Sequence, residues 1–415
     1  MTFLKIYVAM LCLKVLGFNY IKELLYNLFH KSEHYLVLEI LNHYVQITFL
    51  KVDHKRKKIT VEKNWLQPVA EFSPANILKE ANLLLKKIRQ PRNFKIIVGL
   101  DPNFATTIYS SVSLIRPNSK SLIDEADLDN LISQAIWRFF DRHRLKAAQK
   151  MGVADVDVIL SDVRIRGIKI DGHKVVNPIG FKAKAIEIFF SQTMLVRDLL
   201  RGFKDILPKE KVVLITEVGT SISHVLYRIL EKDRFFIANL FPNQTSVYFA
   251  SANRLTHWDD FEWGENDLSH LLSRHFRLDH PTAKMVLGSY IENNASQNFL
   301  RRFENILNKE LQIFANGLES LVNEDSTDIY LNAFFNLPPV VFSSRFQSRL
   351  QKSLKLLPLS TNLITEKLGY EVKLKPSVQV KNLFSVLAML FEVNFLPQND
   401  KLSHLANRRV RWLVT

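Results

Sequence analysis

Acidic side chains are concentrated in one short stretch of this sequence, from His257 to Asp267. The stretch reads HWDDFEWGEND, and hard divalent cations prefer carboxylate oxygens that converge from a loop. If the stretch is a strand, Asp259 and Asp260 point to opposite faces, so one ion cannot use both. The alternative is that these acids pair with lysines of the same protein, or that Asp267 caps the following helix.

Basic side chains are concentrated on one predicted helix, whose charged residues are Arg138, Asp141, Arg142, His143, Arg144 and Lys146. Such a helix suits lipid headgroups or an acidic partner, although a solvated helix face has the same composition. The whole chain has a formal net charge of +15, from 56 Lys and Arg against 41 Asp and Glu. This charge favours an anionic partner, unless the cations are simply spread as solubilising charge.

Several classes of chemistry find no support in the sequence. The metalloprotease pattern HExxH, the hydrolase pattern GxSxG, the Walker loop and the dinucleotide pattern GxGxxG are not present. The single Cys12 excludes an internal disulfide and any multi-cysteine zinc site. This fits a reducing compartment such as the cytoplasm, which we expect, and it also fits many bacterial exported proteins. No aromatic-rich motif that stacks bases lies among the basic residues, so we expect no nucleic-acid partner.

The elements that position these residues divide into two halves. At 415 residues, of which 47% are hydrophobic, the chain exceeds the size of a single core. Alternation predicts a hairpin over 35–65, a helix over 75–89, and strands at 94–100 and 107–115. A helix opened by acids at 124–127 and strands at 156–164, 167–170 and 185–192 follow. The second half has predicted strands at 212–215, 235–239, 246–250 and 339–343, and helices at 221–230, 268–276, 298–321, 346–354 and 380–391.

The first thirty residues predict an amphipathic helix over 3–29. Its apolar arc includes Phe3 and Phe18, and its cations include Lys5 and Lys14. The helix suits a lipid interface or a partner surface, and the alternative is that it packs on its own domain. Because Lys14 interrupts the most apolar run, we expect no membrane span and no cleaved signal peptide.

Five collinear segments resemble one known family. They are VGLD at 98–101 leading into IDEADL at 123–128, the turn-rich run 170–188 with Asp171-Gly172 and Asn177-Pro178-Ile179-Gly180, TEVGTSISHVL at 216–226, FIANLFPNQTSVYF at 236–249, and WGENDL at 263–268 with Ala283-Lys284. Together they resemble FtsA-type proteins of the actin-like ATPase superfamily over about residues 34–392.

The resemblance implies an α/β, two-lobed actin-like fold with a small inserted α+β subdomain in the first lobe. The implied segments are 1–32 as the helical N-terminal segment, 33–115 as the first lobe, 116–196 as the FtsA-type insert, 197–232 as the first lobe continued, 233–392 as the second lobe and 393–415 as a basic tail. Division proteins of this family end in a membrane-targeting helix. The tail resembles it in Arg408, Arg409, Arg411 and Trp412, although its apolar part is short.

The resemblance also implies a nucleotide site, and this sequence departs from it. Actin-like ATPases hold phosphates with two glycine hairpins and the magnesium water shell with an Asp on each strand. Here Glu39 replaces the first Asp and Asn239 the second, while Thr245 remains and Gly264 falls at a family glycine position. The adenosine loop is aligned with 340–345, which ends in Arg345. We expect a pseudo-nucleotide site with no catalytic residues, no metal and no cofactor, ATP with magnesium binding only if the site still functions.

The function implied is that of a bacterial, non-catalytic scaffold. It would tether a cell-division filament protein, FtsZ-like, to the anionic inner face of the cell membrane as a peripheral cytoplasmic protein, with self-association a further option. One alternative is a PilM-like adaptor of a type IV pilus complex, which would bind a pilus inner-membrane protein. The other alternative is an active ATPase of the same branch, which would be stabilised by nucleotide.

Overall fold

The structure is a computed structural model that describes residues 32–395, together with Leu402 and Ala406. Within that range it leaves out residues 42–43, 70, 72, 89–92, 252–253, 293, 295, 323–326, 351–353 and 377. The predicted helix at 3–29 lies outside the described residues, and so does the tail with its arginines and Trp412. None of the described helices is long and apolar enough to cross a bilayer.

The described part of the chain forms fifteen strands, which are β1 Glu33–Leu41, β2 Tyr44–Asp53, β3 Lys58–Pro68, β4 Lys95–Leu100, β5 Ala105–Ile115, β6 Val158–Ile170, β7 His173–Val175, β8 Ala185–Val196, β9 Val212–Glu217, β10 Arg234–Leu240, β11 Thr245–Ser251, β12 Arg254–Phe261, β13 Asp328–Ala333, β14 Lys355–Pro358 and β15 Glu371–Leu374. Its α-helices are α1 Pro74–Lys87, α2 Glu125–Met151, α3 Arg197–Ile206, α4 Val218–Ile229, α5 Glu265–Phe276, α6 His280–Ile291, α7 Gln297–Leu321, α8 Ser344–Gln347, α9 Thr361–Leu368 and α10 Leu383–Asn394.

Two sheets form the two lobes, and they have the same strand order apart from the additional edge strand β15 in the first. The first sheet has the order β15-β3-β2-β1-β4-β9, and the second has the order β12-β11-β10-β13-β14. In each sheet three consecutive antiparallel strands are followed by two strands parallel to the first of them. The two-lobed α/β architecture that the resemblance implies is therefore confirmed.

An antiparallel sheet with the order β5-β8-β6-β7 is inserted into the first lobe, between β4 and β9. Helix α2 packs on this sheet. Asp124 caps the helix, because its carboxylate accepts a hydrogen bond from the Asp127 amide, and Gly152 ends it with a left-handed φ of 65°. The inserted α+β subdomain is confirmed. Strand β5 precedes residue 116 and belongs to this sheet, because it pairs with β8 along its whole length.

Helices α4 and α10 form a layer between the two lobes. Both are buried on nearly every side, and they pack against each other. The core around them includes side chains from the first sheet, such as Val37, and from the second, such as Ile237. The other face of the first sheet shares a core with the insert, and the second lobe has a core of its own. A helix that is buried all round holds two neighbours together, which is what these two do.

Three sequence predictions about elements were wrong. The hairpin predicted over 35–65 has three strands instead of two, because its apolar first part divides into β1 and β2, which are both buried and do not alternate. The strand predicted at 339–343 is a single 3₁₀ turn, since Pro338 and Pro339 provide no amide hydrogens for a ladder. The helix predicted at 346–354 is the short α8. The strand beside β10 is instead β13.

Candidate functional site

Glu39 lies near the end of β1 and is completely buried. Its carboxyl accepts a hydrogen bond from Gln46 Nε2 at 3.1 Å and another from the hydroxyl of Ser385 on α10. Burial raises the pKa of Glu39 to about 8, although the Ser385 hydrogen bond and nearby Lys381 lower it. At neutral pH this carboxyl is therefore mostly protonated, and it links the first sheet to α10.

Asn239 holds the corresponding place on β10 and is also completely buried. Its Nδ2 donates to the carbonyl oxygen of Gly219 at 3.1 Å and to Ser223 Oγ at 3.0 Å, both on α4. Its Oδ1 accepts from Asn332 Nδ2 on β13 at 3.0 Å. Both amide hydrogens and the oxygen are thus used within the protein.

The ring of Phe241 fills the space between β10 and α4. It stacks on Phe334, with ring centroids 4.5 Å apart and planes 11° from parallel, and both rings are buried. A Cβ atom at Gly219 would lie 3.1 Å from Phe241 Cζ, so the ring also packs directly against the start of α4. The resemblance places a phosphate loop at this position, where Phe241 replaces a glycine.

The loop after β10 is closed onto the start of α5. Thr245 Oγ1 donates to the Trp263 carbonyl at 2.9 Å, and the Asn266 amide donates to the Pro242 carbonyl at 2.9 Å. A Cβ atom at Gly264 would lie 2.1 Å from the Phe241 carbonyl oxygen, so only glycine allows this close approach. The Thr245 hydrogen bond and the close backbone approach at Gly264 therefore fix this loop against the start of α5.

Glu217 ends β9 and is completely buried among hydroxyl groups. Its Oε2 accepts from the Tyr248 hydroxyl at 3.0 Å and from the Thr220 hydroxyl, and its amide donates to Thr107 Oγ1 at 3.0 Å. Its Oε1 has no hydrogen-bond partner among the described residues. This group joins β5, β9, α4 and β11, and therefore ties both lobes to the insert.

A buried ion pair attaches the insert to the central helices. Arg166 of β6 and Glu392 of α10 are 2.5 Å apart, and their side chains are 8% and 1% exposed. Glu392 also accepts hydrogen bonds from Ser221 Oγ at 2.6 Å and from the Tyr109 hydroxyl at 3.2 Å. Burial raises the pKa of Glu392, but neighbouring His224 and Arg166 lower it more and hold it below its ordinary value.

No local sequence pattern indicates this ion pair, because its partners are separated by 226 positions. Each residue taken singly looks like an ordinary surface charge on a strand or helix. His224 lies 3.6 Å from Glu392, and burial lowers its pKa to about 4, so it is neutral at neutral pH. Arg164, which is paired with Asp162 at 2.8 Å, adds a second cation that lowers the pKa of Glu392.

The acidic stretch pairs with the protein's own cations, as the second interpretation predicted. Asp260 lies 3.5 Å from Lys150 of α2 and 3.1 Å from His257. Asp267 accepts from the Gly264 amide at 2.8 Å and so caps α5. Among the described residues, no three His, Cys, Asp or Glu side chains converge as a metal site would require.

Arg345 lies at the exposed start of α8. The strand expected before it is not formed, so its alignment with the end of an adenosine loop loses the element that would position it. The strand beside β10 is β13, and it contributes Asn332 to the site. No sequence motif indicated this residue. Asn332 lies directly opposite Asn239 in the pairing of β13 with β10, so the strand order is what identifies it.

Comparison with known proteins finds likeness at the level of structure. A structure described as the PilM-PilN type IV pilus biogenesis complex matches 90% of this chain and 98% of its own, with 14% identity and a TM-score of 0.48. A Bacteroides thetaiotaomicron protein of actin-like ATPase fold and unknown function matches 82% and 97%, with 10% identity and a TM-score of 0.40. The ethanolamine utilization protein EutJ from Carboxydothermus hydrogenoformans matches 88% and 90%, with 8% identity and a TM-score of 0.37.

No protein-family model and no curated protein matches the chain. All three TM-scores lie below 0.5, and the fold described above stands on its own repeated strand order. The polar groups at the ends of β1, β9 and β10 are bonded mainly to the protein itself. The arrangement is suited to holding two lobes and an insert in one fixed geometry.

Proposed function

We propose that this chain is a non-catalytic actin-like scaffold or adaptor of the FtsA type, with a degenerate nucleotide site. The observation that carries the proposal is the buried stack of Phe241 on Phe334, pressed against Gly219. A phosphate group needs open backbone amides at this place, and an aromatic ring occupies the room that those amides would offer. ATP with magnesium does not fit these residues.

The two positions that would hold a magnesium water shell support the same proposal. Hard cations need ionised oxygen ligands. The carboxyl of Glu39 has a raised pKa of about 8, and it is hydrogen bonded to Ser385. Asn239 carries no charge, and its amide is committed to Gly219, Ser223 and Asn332. Neither side chain offers a charged oxygen at neutral pH.

The partner we propose is a cell-division filament protein, FtsZ-like, which the scaffold would tether to the inner face of the cell membrane. The support is the resemblance in sequence and the net charge of +15, which favours an anionic surface. The predicted helix at 3–29 and the basic tail would supply the lipid contacts. Sedimentation of both truncations with anionic vesicles checks those contacts, and unchanged pelleting after both truncations rejects them.

The second candidate is a PilM-like adaptor of a type IV pilus assembly complex. The likeness to the structure described as a PilM-PilN complex supports this candidate. The two candidates differ in partner and share a non-catalytic body. Purification from the native cell with the bound proteins identified separates them. A filament protein supports the first candidate, and a pilus inner-membrane protein supports the second.

Thermal unfolding with and without millimolar ATP and magnesium tests the degenerate site. A ligand at a hundred times its Kd adds about 2.7 kcal/mol to the free energy of unfolding, which is a shift of several degrees. We expect no shift with ATP or ADP, and no release of phosphate. A nucleotide-specific shift that magnesium strengthens would contradict the proposal and support the active ATPase. An actin-like protein that binds ATP, run in parallel, shows that the assay detects binding.

A further inference from the structure

We propose that the far end of the inserted subdomain is a docking surface for an anionic lipid bilayer. The surface consists of four exposed apolar side chains and the lysines between them. The apolar ones are Ile115, Leu122, Ile179 and Phe181, which are 84%, 56%, 36% and 49% exposed. We call these four side chains the apolar tip. This proposal deepens the membrane part of the proposed scaffold function, and it uses residues distinct from both termini.

Backbone hydrogen bonds bring the members of the apolar tip together. The Ile123 amide donates to the Phe181 carbonyl at 2.9 Å, and the Gly180 amide donates to the Ile123 carbonyl at 2.8 Å. Leu122 is thereby placed beside Ile179 and Phe181. These bonds fix the two loops to each other, so the loop backbone needs little further ordering at binding.

Ile115 belongs to the same end of the sheet. It ends β5 and pairs with Ala185, and the Arg116 amide donates to the Lys184 carbonyl at 2.9 Å. Strand β5 starts at Ala105, beside the first lobe, and is eleven residues long. At about 3.4 Å per residue, its far end lies roughly 30 Å further along the strand. The apolar tip is therefore carried away from the body of the protein.

Four exposed lysines lie in the loops that carry the tip, and they are Lys120, Lys174, Lys182 and Lys184. The ion pairs between described residues do not involve them. Two nearby carboxylates are held by backbone amides instead. Asp171 accepts from the amides of Lys184 and Ala185, and Asp124 accepts from the Asp127 amide. The four lysine side chains are therefore exposed and outside the ion pairs, although Asp171 keeps its negative charge beside Lys184.

Apolar side chains between exposed lysines match the interface of an anionic bilayer. Lysines attract anionic headgroups, and the apolar groups enter the boundary with the acyl chains. A second copy of the chain is a poor match, because a symmetric contact would bring lysines against lysines. An added peptide strand is also a poor match, because the loop amides already donate within the protein. Those of Ile179, Gly180 and Phe181 are examples.

Binding of the full-length protein to phosphatidylglycerol-containing vesicles tests the proposal. The apolar variant is Leu122→Ser with Phe181→Ser, and the charge variant is Lys120→Glu with Lys182→Glu. The matched control is Met285→Ser with Ile313→Ser, two exposed apolar residues of the second lobe. Each lysine near an anionic surface contributes about fivefold in affinity, so we expect the charge variant to lose at least about tenfold.

We expect a similar loss for the apolar variant and unchanged binding for the control. Vesicles of phosphatidylcholine should bind wild type weakly, and salt should reduce binding to the anionic vesicles. Circular dichroism and thermal unfolding establish that each variant folds, and Phe181→Leu should restore binding that Phe181→Ser loses. Wild-type binding in both tip variants overturns the proposal, as does wild type that fails to bind anionic vesicles. A change in oligomeric state on tip mutation, with vesicle binding intact, assigns the surface to self-contact instead and also overturns it.

Because the vesicle assay uses no nucleotide and no filament, its failure leaves the degenerate-site proposal standing. A thermal shift with ATP would in turn leave the tip proposal standing. If truncation of both termini abolishes binding while the tip variants bind as wild type does, the termini are the membrane contacts and the tip is not.

Discussion

Glu39 and Asn239 occupy corresponding positions in the two sheets. Glu39 pairs with Gln46 across its hairpin, and Asn239 pairs with Ser246 across the corresponding hairpin, each seven positions further along the chain. Both side chains are buried and hydrogen bonded to one of the two central helices. Their burial decides their chemistry, since a buried polar group that lacks a partner is costly. At neutral pH the Glu39 carboxyl is therefore mostly protonated and uncharged, and the Asn239 amide is uncharged as well.

Replacing Glu39 by Gln should remove a pH dependence of stability. The folded state holds this proton up to pH about 8, whereas the unfolded chain releases it near the ordinary value of 4.5. Between these values the folded state binds more protons, so its stability falls as pH rises. We expect Glu39→Gln to gain stability over wild type across this window, by up to a few kcal/mol.

Urea unfolding at several pH values between 5 and 8.5 measures this difference. The exposed Glu366→Gln is the control and should run parallel to wild type at every pH. A constant difference between Glu39→Gln and wild type over the whole range would contradict the raised pKa.

Replacing Asn239 by Asp should destabilise the protein, although it restores the residue that the family uses. The carboxylate cannot donate to the Gly219 carbonyl or to Ser223, and it would be a buried charge where the amide is neutral. We expect a loss of about 3 kcal/mol or more in the free energy of unfolding. Asn118→Asp, at an exposed position, should change it little. Wild-type stability of Asn239→Asp would show that the amide bonds are dispensable.

Spacing in the sequence found Glu39, Asn239, Thr245 and Gly264 because the segments around them keep the family order. It could not reveal what these residues contact. Ser385 lies 346 positions from Glu39, and Asn332 lies 93 positions from Asn239. A protonation state depends on such distant partners and on burial, which a one-dimensional pattern does not contain.

At the scale of elements, the order of strands and helices followed largely from periodicity and capping. The acid-capped α2 and the turn at Asp171-Gly172 are examples, because their signals are local. Strand β13 was missed because its sequence, DIYLNA, is short and contains Asp328 and Asn332. It forms because β10 on one side and β14 on the other supply its ladder. Tertiary pairing overrode a weak local preference there.

Replacing Gly264 by Ala should disrupt the start of α5. The new methyl group would lie 2.1 Å from the Phe241 carbonyl oxygen and 2.4 Å from the Pro242 carbonyl. These are backbone atoms that a rotamer change cannot move, so we expect a loss of about 2 kcal/mol in the free energy of unfolding.

Gly288→Ala is the matched control, since nothing lies within 4 Å of its Cβ position inside α6. It should gain roughly 0.5–1 kcal/mol from helix propensity. Denaturant midpoints of the two variants compare them directly. Equal midpoints would mean that the loop after β10 relaxes freely.

At the scale of the molecule, the insert is attached to both lobes. Arg166 pairs with Glu392 of α10, and Lys150 approaches Asp260 of β12 in the second lobe. Strand β5 also contacts β12. We therefore expect the insert to move with the lobes as one body.

Replacing Arg166 by Met should remove the cation that Glu392 contacts at 2.5 Å. Breaking a buried ion pair in this way costs about 3–5 kcal/mol, whereas the double variant with Glu392→Met should cost less than the single one. A double-mutant cycle by chemical unfolding measures the coupling. Lys373→Met breaks an exposed pair with Glu371 and should change stability little. Additive effects of the two core substitutions would contradict the pairing.

The position of α10 in the chain has a consequence for how the protein is made. This helix spans Leu383–Asn394 and packs on α4, β1 and β4, while β15 adds to the edge of β3. The first lobe thus needs segments from both ends of the described chain. During synthesis the first strands of this sheet emerge from the ribosome long before β15 and α10. Until those two elements are made, an apolar face of the sheet stays exposed to solvent. A ribosome-stalled chain that ends before residue 371 should bind chaperones and be cleaved by protease, and one extended past residue 395 should resist.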